Sequence, residues 1–231
     1  MAEGEVVLRH LVGPLSRFPV DSVLVAESRL GGLETLLRPL NAPVYVASQA
    51  VMDTIVGFPI HRGILAMGRR GEGAVLAGVG ASPGPGDVIL AAVGIGNHDN
   101  MGGLFRAAAA FGARAVVLDS TSCDPLYRKA IRVSVGASLI QRFVRLGAHD
   151  DMVSVLERAG FACWALTLSG GALLRDAVPT GPTALIVGSE GPGLPQAMLR
   201  RCRGIAIPMA AGFDSLNVAT AAAIALHHLG G

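Results

Sequence analysis

Aromatic residues are scarce. Seven Phe, two Tyr and one Trp make up 4% of 231 residues, while apolar residues as a whole make up 51%. A core large enough for this chain must therefore be filled by Ala, Val, Leu and Ile. Lysine is almost missing: Lys129 is alone among nineteen basic residues, the others being Arg. Arg suits bidentate phosphate contacts, although a GC-rich genome gives the same bias. A strong charge of one sign is also lacking, and a net charge of +2 is too small to argue for nucleic acid by itself. Cysteine is limited to Cys123, Cys163 and Cys202. Three is an odd number and their spacing fits no metal site, so they are read as reduced thiols of a cytoplasmic protein. No apolar run reaches the roughly 18 uninterrupted residues of a membrane span. The N-terminus, MAEGEVVLRH, is charged and lacks the apolar stretch of a signal peptide.

Glycine and proline are abundant, at 31 and 13 residues, and imply many tight turns. The densest cluster is Gly80–Asp87, between two apolar segments, and reads as a linker. It divides the chain into a small domain (1–80), a linker (81–87) and a larger domain (88–231). In the first part, strands are predicted at Asp21–Ala26, Pro43–Ala47 and Ile64–Met67, with helices at Leu30–Leu37 and Gln49–Val56. The second part alternates more cleanly. Strands are predicted at Val88–Ile95, Ala115–Leu118, Phe161–Leu168, Thr183–Gly188 and Gly204–Ile207. Helices are predicted at Gly102–Phe111, Pro125–Ser138, Asp151–Ala159, Pro195–Arg201 and Leu216–Leu229. Near-continuous apolar strands separated by helices mean an α/β fold whose parallel sheet has helices on both faces. Ligands in such folds bind beyond the carboxyl ends of the strands, so the loops after the strands are where chemistry is expected.

Three of those loops stand out. The first reads Gly96-Asn97-His98-Asp99-Asn100-Met101-Gly102-Gly103 and runs into a helix with Arg106 about one turn in. Two glycines at a helix start would let another backbone or a phosphate come close to the free N–H groups. Gly94-Ile95-Gly96-Asn97-His98-Asp99, with Asp119 downstream, imitates a dinucleotide fingerprint, but its third glycine is missing and nicotinamide binding is disfavoured. The second loop, Gly188-Ser189-Glu190-Gly191-Pro192-Gly193, puts a carboxylate at the sheet edge, where it needs solvent or a donor. A plain glycine-rich turn with an exposed acid fits the isolated segment equally well. The third loop, Pro208 to Asn217, leads into an apolar helix that Asp214 or Ser215 can cap. That helix is apolar nearly all round, so it must be buried on more than one side, and a homodimer interface would cover the extra face. Asn217 in its first turn calls for a specific partner. His227 and His228 sit at its C-terminus, where positive charge is favoured, and are read as structural.

Together the three loops resemble the motifs of the SpoU/TrmH class of SPOUT RNA methyltransferases. The first motif, N-x-G-x-x-x-R-x-A, is matched by Asn100, Gly102, Arg106 and Ala108. The second, G-x-E-G-x-G, is matched by Gly188, Glu190, Gly191 and Gly193. The third is matched by Ile207-Pro208-Met209 and Ser215-Leu216-Asn217-Val218. The stretch from Asp124-Pro125 to Ser134-Val135-Gly136-Ala137 is similar to the family segment after the first motif, so the resemblance covers roughly 88–229. One departure is Ala107, where the family often has Thr or Asn. Residues 56–66 are similar, more weakly, to the end of the L30e-like substrate-binding domain that precedes many members.

The resemblance implies a C-terminal trefoil knot, a homodimer and S-adenosylmethionine-dependent methylation of a ribose 2′-hydroxyl in rRNA or tRNA. It places the cofactor near Leu166, Gly188, Glu190, Gly191, Gly193, Ile207, Met209, Ser215 and Leu216. It makes Arg106 the residue that assists the hydroxyl, as an unusual base or as stabiliser of the developing alkoxide, with Asn100, Glu190, Ser215 and Asn217 positioning it. RNA contacts are expected from Arg106, from Arg128 and Arg132 on one helical face, and from His61 and Arg62. No aromatic stacking platform is apparent, so recognition by shape and phosphate is expected. No metal is expected. The alternative is an inactive member that binds RNA without methylating it.

Overall fold

Two sheets organise the chain in a computed structural model that describes residues 1–57, 59–71, 83–168, 171–210 and 215–230. The first sheet contains β1 (Ala2–Glu3), β2 (Val20–Ala26), β3 (Val44–Ala47) and β4 (Ile64–Gly68), in the order β1-β4-β2-β3. β4 is antiparallel to both its neighbours, and β2 and β3 are parallel. Helices α1 (Glu5–Val12), α2 (Glu27–Leu37) and α3 (Gln49–Val56) accompany it. The predicted strands and the last two helices appear where the sequence puts them. β1 and α1 were not foreseen, because the charges of the N-terminus obscure its period. Val7, Leu8 and Leu11 are buried at helical spacing, while Glu5 and Arg9 pair at 2.8 Å on the outside.

The second sheet has seven strands, and every adjacent pair is parallel. They are β5 (Val88–Ala92), β6 (Ala115–Leu118), β7 (Phe143–Arg145), β8 (Ala162–Thr167), β9 (Ala172–Leu173), β10 (Thr183–Val187) and β11 (Arg203–Ala206). Their order is β7-β6-β5-β10-β8-β11-β9. Helices α4 (His98–Ala110), α5 (Arg128–Val133), α6 (Ala137–Ile140), α7 (Met152–Arg158) and α8 (Gln196–Leu199) lie between them in the chain, and α9 (Val218–Leu229) follows the last strand. Strand residues alternate between two cores. Leu90, Val116, Leu185 and Ile205 face α4 and α9, whereas Ile89, Val117, Ile186 and Ala165 face α7. Both faces are covered, which is why the strands read as unbroken apolar runs. Strand order reverses between β5 and β10, so the loops that follow these two strands open side by side.

The helix predicted over Pro125–Ser138 is in fact two short helices. Between them Val135 adopts φ 54° and Gly136 φ 86°. A β-branched residue is uncommon there. The turn is fixed from both sides: Gly136 N–H bonds the Ile131 carbonyl at 2.9 Å, and a Cβ on Gly136 would stand 3.0 Å from the His10 ring. The core of the first sheet also takes in Ile131 and Leu139, so the two sheets share apolar packing through this segment. Two ion pairs reinforce the joint, Arg128–Glu3 at 3.0 Å and Arg70–Asp124 at 2.6 Å. Of the predicted linker, 81–82 lies outside the described residues. Asp87 is not loose, since it accepts from Gly84 N–H at 2.8 Å and pairs with Arg114. Among the described residues no helix is long and apolar enough to cross a membrane.

α4 begins at His98, four residues earlier than expected. Gly102 and Gly103 therefore lie inside the helix and serve packing, not phosphate approach. A Cβ on Gly102 would fall 2.7 Å from Val133 Cβ and 2.9 Å from the Ala130 carbonyl oxygen, and one on Gly103 would fall 2.6 Å from Ala219 Cβ. These glycines let α4 sit close against α5 and α9. By contrast, Gly31 and Gly32 in α2 have open space where a Cβ would go. Gly31→Ala should stabilise the protein by about 0.5–1 kcal/mol through helix propensity. Gly102→Ala should lower Tm despite the same propensity gain, because overpacking costs roughly 1–3 kcal/mol. Thermal melts read the opposite signs, at about 2–4 °C per kcal/mol for a chain of this size.

Candidate active site

The loop after β5 is held open by a clamp built from the loop after β6. Gly94 turns at φ 68° and donates its N–H to Asp119 Oδ1 at 3.1 Å. Ile95 N–H donates to Ser122 Oγ at 3.0 Å, and Ser122 Oγ donates in turn to Asp119. Cys123 N–H closes the ring by donating to the Ile95 carbonyl at 2.8 Å. The Arg145 guanidinium holds the far side, donating to the carbonyls of Ser122 at 2.6 Å, Cys123 at 2.8 Å and Asp119 at 3.1 Å. The half-buried Asp119 is thus occupied by donors from Gly94, Thr121 and Ser122, which removes the support for a dinucleotide site. Downstream, Asn97 caps α4 by accepting from Asp99 N–H at 2.8 Å, and Asn100 is carried into the buried first turn, 6% exposed.

The loop after β10 folds back on itself. Gly193 N–H donates to the Ser189 carbonyl at 3.1 Å, with Gly191 at φ 86° and Gly193 at φ 67°. A Cβ on Gly188 would stand 2.5 Å from the Gly193 carbonyl carbon and 2.6 Å from Leu194 N. Only glycine permits that closure. Ser189 lies against Gly94, so the first and second loops touch.

In the third loop, 211–214 lies outside the described residues, Asp214 among them. Ser215 does not cap the last helix. Asn217 does so, with Oδ1 accepting from Ala219 N–H at 3.0 Å and Thr220 N–H at 3.3 Å. Because Oδ1 is occupied by donors, the other end of the amide must be Nδ2. It donates to Asn100 Oδ1 at 2.8 Å and Glu190 Oε1 at 3.1 Å. One side chain thus joins all three loops, and it gives the exposed Glu190 a donor partner.

Beside this knot of polar groups is a cavity of about 500 Å³ at the carboxyl ends of β8, β10 and β11. Leu166, Gly188, Glu190, Gly191, Gly193, Ile207, Met209, Ser215, Leu216 and Asn217 all line it, as expected from the sequence. Thr167, Val187, Ser189, Leu194, Val218 and Ala221 line it too and were missed. All but Ala221, one turn into α9, lie at or next to a strand end or a motif residue, so those positions could have been found. Asn100 touches the site through Asn217. Arg106 lies two turns beyond Asn100 on α4; it is exposed and has no ion-pair partner among the described residues. Arg132 is likewise exposed, whereas Arg128 is engaged by Glu3. His61 and Arg62 are exposed in the first unit, the Arg62 chain lying over Gly4. His228 Nε2 is 2.9 Å from the Ala177 carbonyl and His227 packs edge-on against Phe111, in keeping with structural roles. Among the described residues no His, Cys, Asp and Glu cluster could hold a metal ion.

Comparison with known proteins gives the site its context. The profile of the SpoU rRNA Methylase family matches residues 87–227. The chain belongs to that family. A SpoU relative from Mycobacterium bovis, an uncharacterised tRNA/rRNA methyltransferase, is 38% identical over all of this chain and 82% of its own length. The 23S rRNA (guanosine-2′-O-)-methyltransferase of Coxiella burnetii is 28% identical over 88% of this chain and 82% of its own. The crystal structure of an AdoMet-bound rRNA methyltransferase from Sinorhizobium meliloti superposes with a TM-score of 0.83, covering 99% of this chain and 85% of that one at 23% identity. At that identity the likeness is one of fold, and it extends over both sheets of this SpoU chain.

The clamp makes this part of the site sensitive to acid. Burial works to raise the Asp119 pKa, but hydrogen bonds from Ser122, Thr121 and Gly94 together outweigh it and hold the carboxyl below its usual value. A depressed folded-state pKa contributes stability that is complete above the unfolded value of about 4 and is lost as the pH falls through the lower folded value. Asp119→Asn should therefore destabilise the protein at neutral pH, with the difference from the native chain shrinking as the pH drops below about 4. Urea midpoints across that range measure it. A difference that stays constant with pH would assign the loss to shape instead of charge.

Proposed function

We propose that this protein transfers a methyl group from S-adenosylmethionine to a ribose 2′-hydroxyl of rRNA or tRNA. The observation that carries the reading is the convergence of Asn100, Glu190 and Asn217 at the rim of a cavity built by three strand ends. The chemistry of its lining fits the cofactor. At about 500 Å³ it is within the range of small-molecule sites. Leu166, Ile207 and Leu216 offer apolar walls for an adenine, and Gly188 leaves the backbone bare where a side chain would close the loop. When bound, the cofactor supplies an electrophilic methyl on a sulfonium; the protein supplies alignment and electrostatics.

In this reading Asn100, Glu190, Ser215 and Asn217 fix the approach of the ribose. Arg106 stands free on α4 to meet the substrate. A guanidinium keeps its proton at physiological pH, so Arg106 acts by stabilising the developing alkoxide and the neighbouring phosphate. Arg132, His61 and Arg62 add phosphate contacts, and Arg128 contributes from the joint between the sheets. Residues 1–80 serve as an L30e-like substrate-binding domain and 81–87 as its linker to the catalytic domain, 88–231. The insertion of β11 between the consecutive strands β8 and β9 supports a trefoil knot, because the chain must pass the β8–β9 connection to get there. Ile224, 41% exposed on the apolar last helix, supports burial of that helix in a homodimer. Action on RNA supports a cytoplasmic location.

Titration calorimetry should show micromolar binding of S-adenosylmethionine. Arg106→Ala should retain that affinity while methyl transfer to unmodified rRNA or tRNA falls by about 10²–10³-fold, the usual loss for one transition-state donor. An Arg106→Ala protein with native turnover overturns the role given to Arg106. A native protein that binds RNA but no cofactor would instead be a non-catalytic member of the family.

A further inference from the structure

The structure brings His98 and Tyr127 together, 29 residues apart in the chain. Their ring centroids are 4.3 Å apart with planes tilted by 41°. His98 opens α4, one half-turn before Asn100. Tyr127 is the residue immediately before α5, and it is 55% exposed. One face of the phenol lies against the imidazole and much of the rest faces solvent. Among the other described aromatic side chains, Trp164 and Phe105 are buried and Phe143 packs edge-on against Phe105, whereas Tyr45 on β3 is exposed like Tyr127. Tyr127 is distinguished by the imidazole against its ring and by its place beside the start of α4.

The pair is also rigidly presented. Tyr127 N–H donates to the Asp124 carbonyl at 3.1 Å, and Leu126 N–H donates to Asp124 Oδ1 at 2.9 Å. Asp124 is held by Arg70, and the next residue after Tyr127, Arg128, is held by Glu3. Both of those partners come from the unit of the first sheet. The two ion pairs that join the units thus bracket Tyr127 in sequence, and Lys129–Asp99 at 2.5 Å ties the same turn to the start of α4. Arg132 is exposed one turn along the same helix.

We propose that His98 and Tyr127 form a stacking platform for an unpaired base of the substrate RNA, next to the nucleotide whose ribose is methylated. The inference rests on the RNA methyltransferase reading and adds a way of recognising the strand that the sequence did not suggest. Base stacking on an aromatic face tolerates every base and favours unpaired nucleotides. A platform that shares a helical turn with Asn100 holds a neighbouring base while Asn100, Glu190 and Asn217 hold the ribose. Arg132 is placed to meet the phosphate between them. Because the turn is pinned by Arg70 and Glu3, a strand that contacts the first unit meets the platform at a fixed distance.

The test uses fluorescently labelled oligo(A) and oligo(U) of about a dozen nucleotides, within the site sizes known for single-strand binders. Binding is read by anisotropy at two salt concentrations on the full chain. Oligo(A) should bind more tightly than oligo(U), because purines stack better. Tyr127→Leu should weaken oligo(A) by on the order of tenfold and remove the preference, with an unchanged salt slope. Tyr127→Phe should bind like the native protein. Because Tyr127 is exposed, the melting temperature of all three proteins should agree. Native-like binding by Tyr127→Leu overturns the platform, and so does a Tyr127→Phe variant as weak as Tyr127→Leu, since the ring alone must suffice. Calorimetry with S-adenosylmethionine on the same samples keeps the two readings apart. Intact cofactor binding with Tyr127-independent RNA binding sinks only the platform; absent cofactor binding sinks the methyltransferase reading and leaves the stacking result standing.

Discussion

The amide of Asn217 is the point on which the site depends. It has to accept and donate at once: its oxygen caps the last helix, and its nitrogen reaches Asn100 and Glu190. A carboxylate in its place could cap but not donate, and an alkyl side chain could do neither. The three partners come from positions 100, 190 and 217, and they meet only because β10 lies between β5 and β8. The sheet order thus decides that the loops open together, and the side chain decides that they stay together. Few such bonds are needed, because the strands beneath are buried on both faces and resist displacement.

The clamp on the loop after β5 is the second constraint, and it works from below. Asp119, Ser122 and Arg145 satisfy backbone groups that would otherwise be lost to a buried turn. They set the path of Gly94 and Ile95 and hence the angle at which α4 leaves the sheet. Gly102 and Gly103 then let α4 settle against α5 and α9 without side chains between them. Motif residues that invite a ligand-binding interpretation are thus divided in their work. Some face the cavity, and others bring helices close enough for the first group to converge.

That division explains what could be read from the sequence. The apolar runs of β5, β6 and β10 and the order of the three loops were legible, because period and spacing are local properties. So was more than half of the cavity lining, since residues just past strand ends must line a crevice. The purpose of Gly102 was not legible: a glycine near a helix start looks the same whether a phosphate or Val133 approaches it. Asp119 was open to misreading for a related reason, as its spacing fits a ribose-binding acid while its partners are Gly94, Thr121 and Ser122. The break at Val135 depends on His10 packing beneath Gly136, a contact 126 residues away in sequence. His98 and Tyr127 are unremarkable singly, and only the parallel approach of α4 and α5 makes them a pair.

The polar groups also differ in how they are held. Asn100, Glu190 and Asn217 are tied to one another, whereas Arg106 and Arg132 stand in solvent. This asymmetry suits a reaction with two substrates of very different size. A small cofactor needs a cavity whose walls are already in place, since little binding energy is then lost in ordering them. A large polyanion brings its own order, and long exposed guanidinium side chains adapt to it with little desolvation beforehand. Among the described residues Arg106 has no ion-pair partner, and the role proposed for it depends on its charge being available. A standing carboxylate partner would have neutralised it. The fixed half of the site and the free half therefore fit the proposed reaction, in which alignment is complete only when the RNA has arrived.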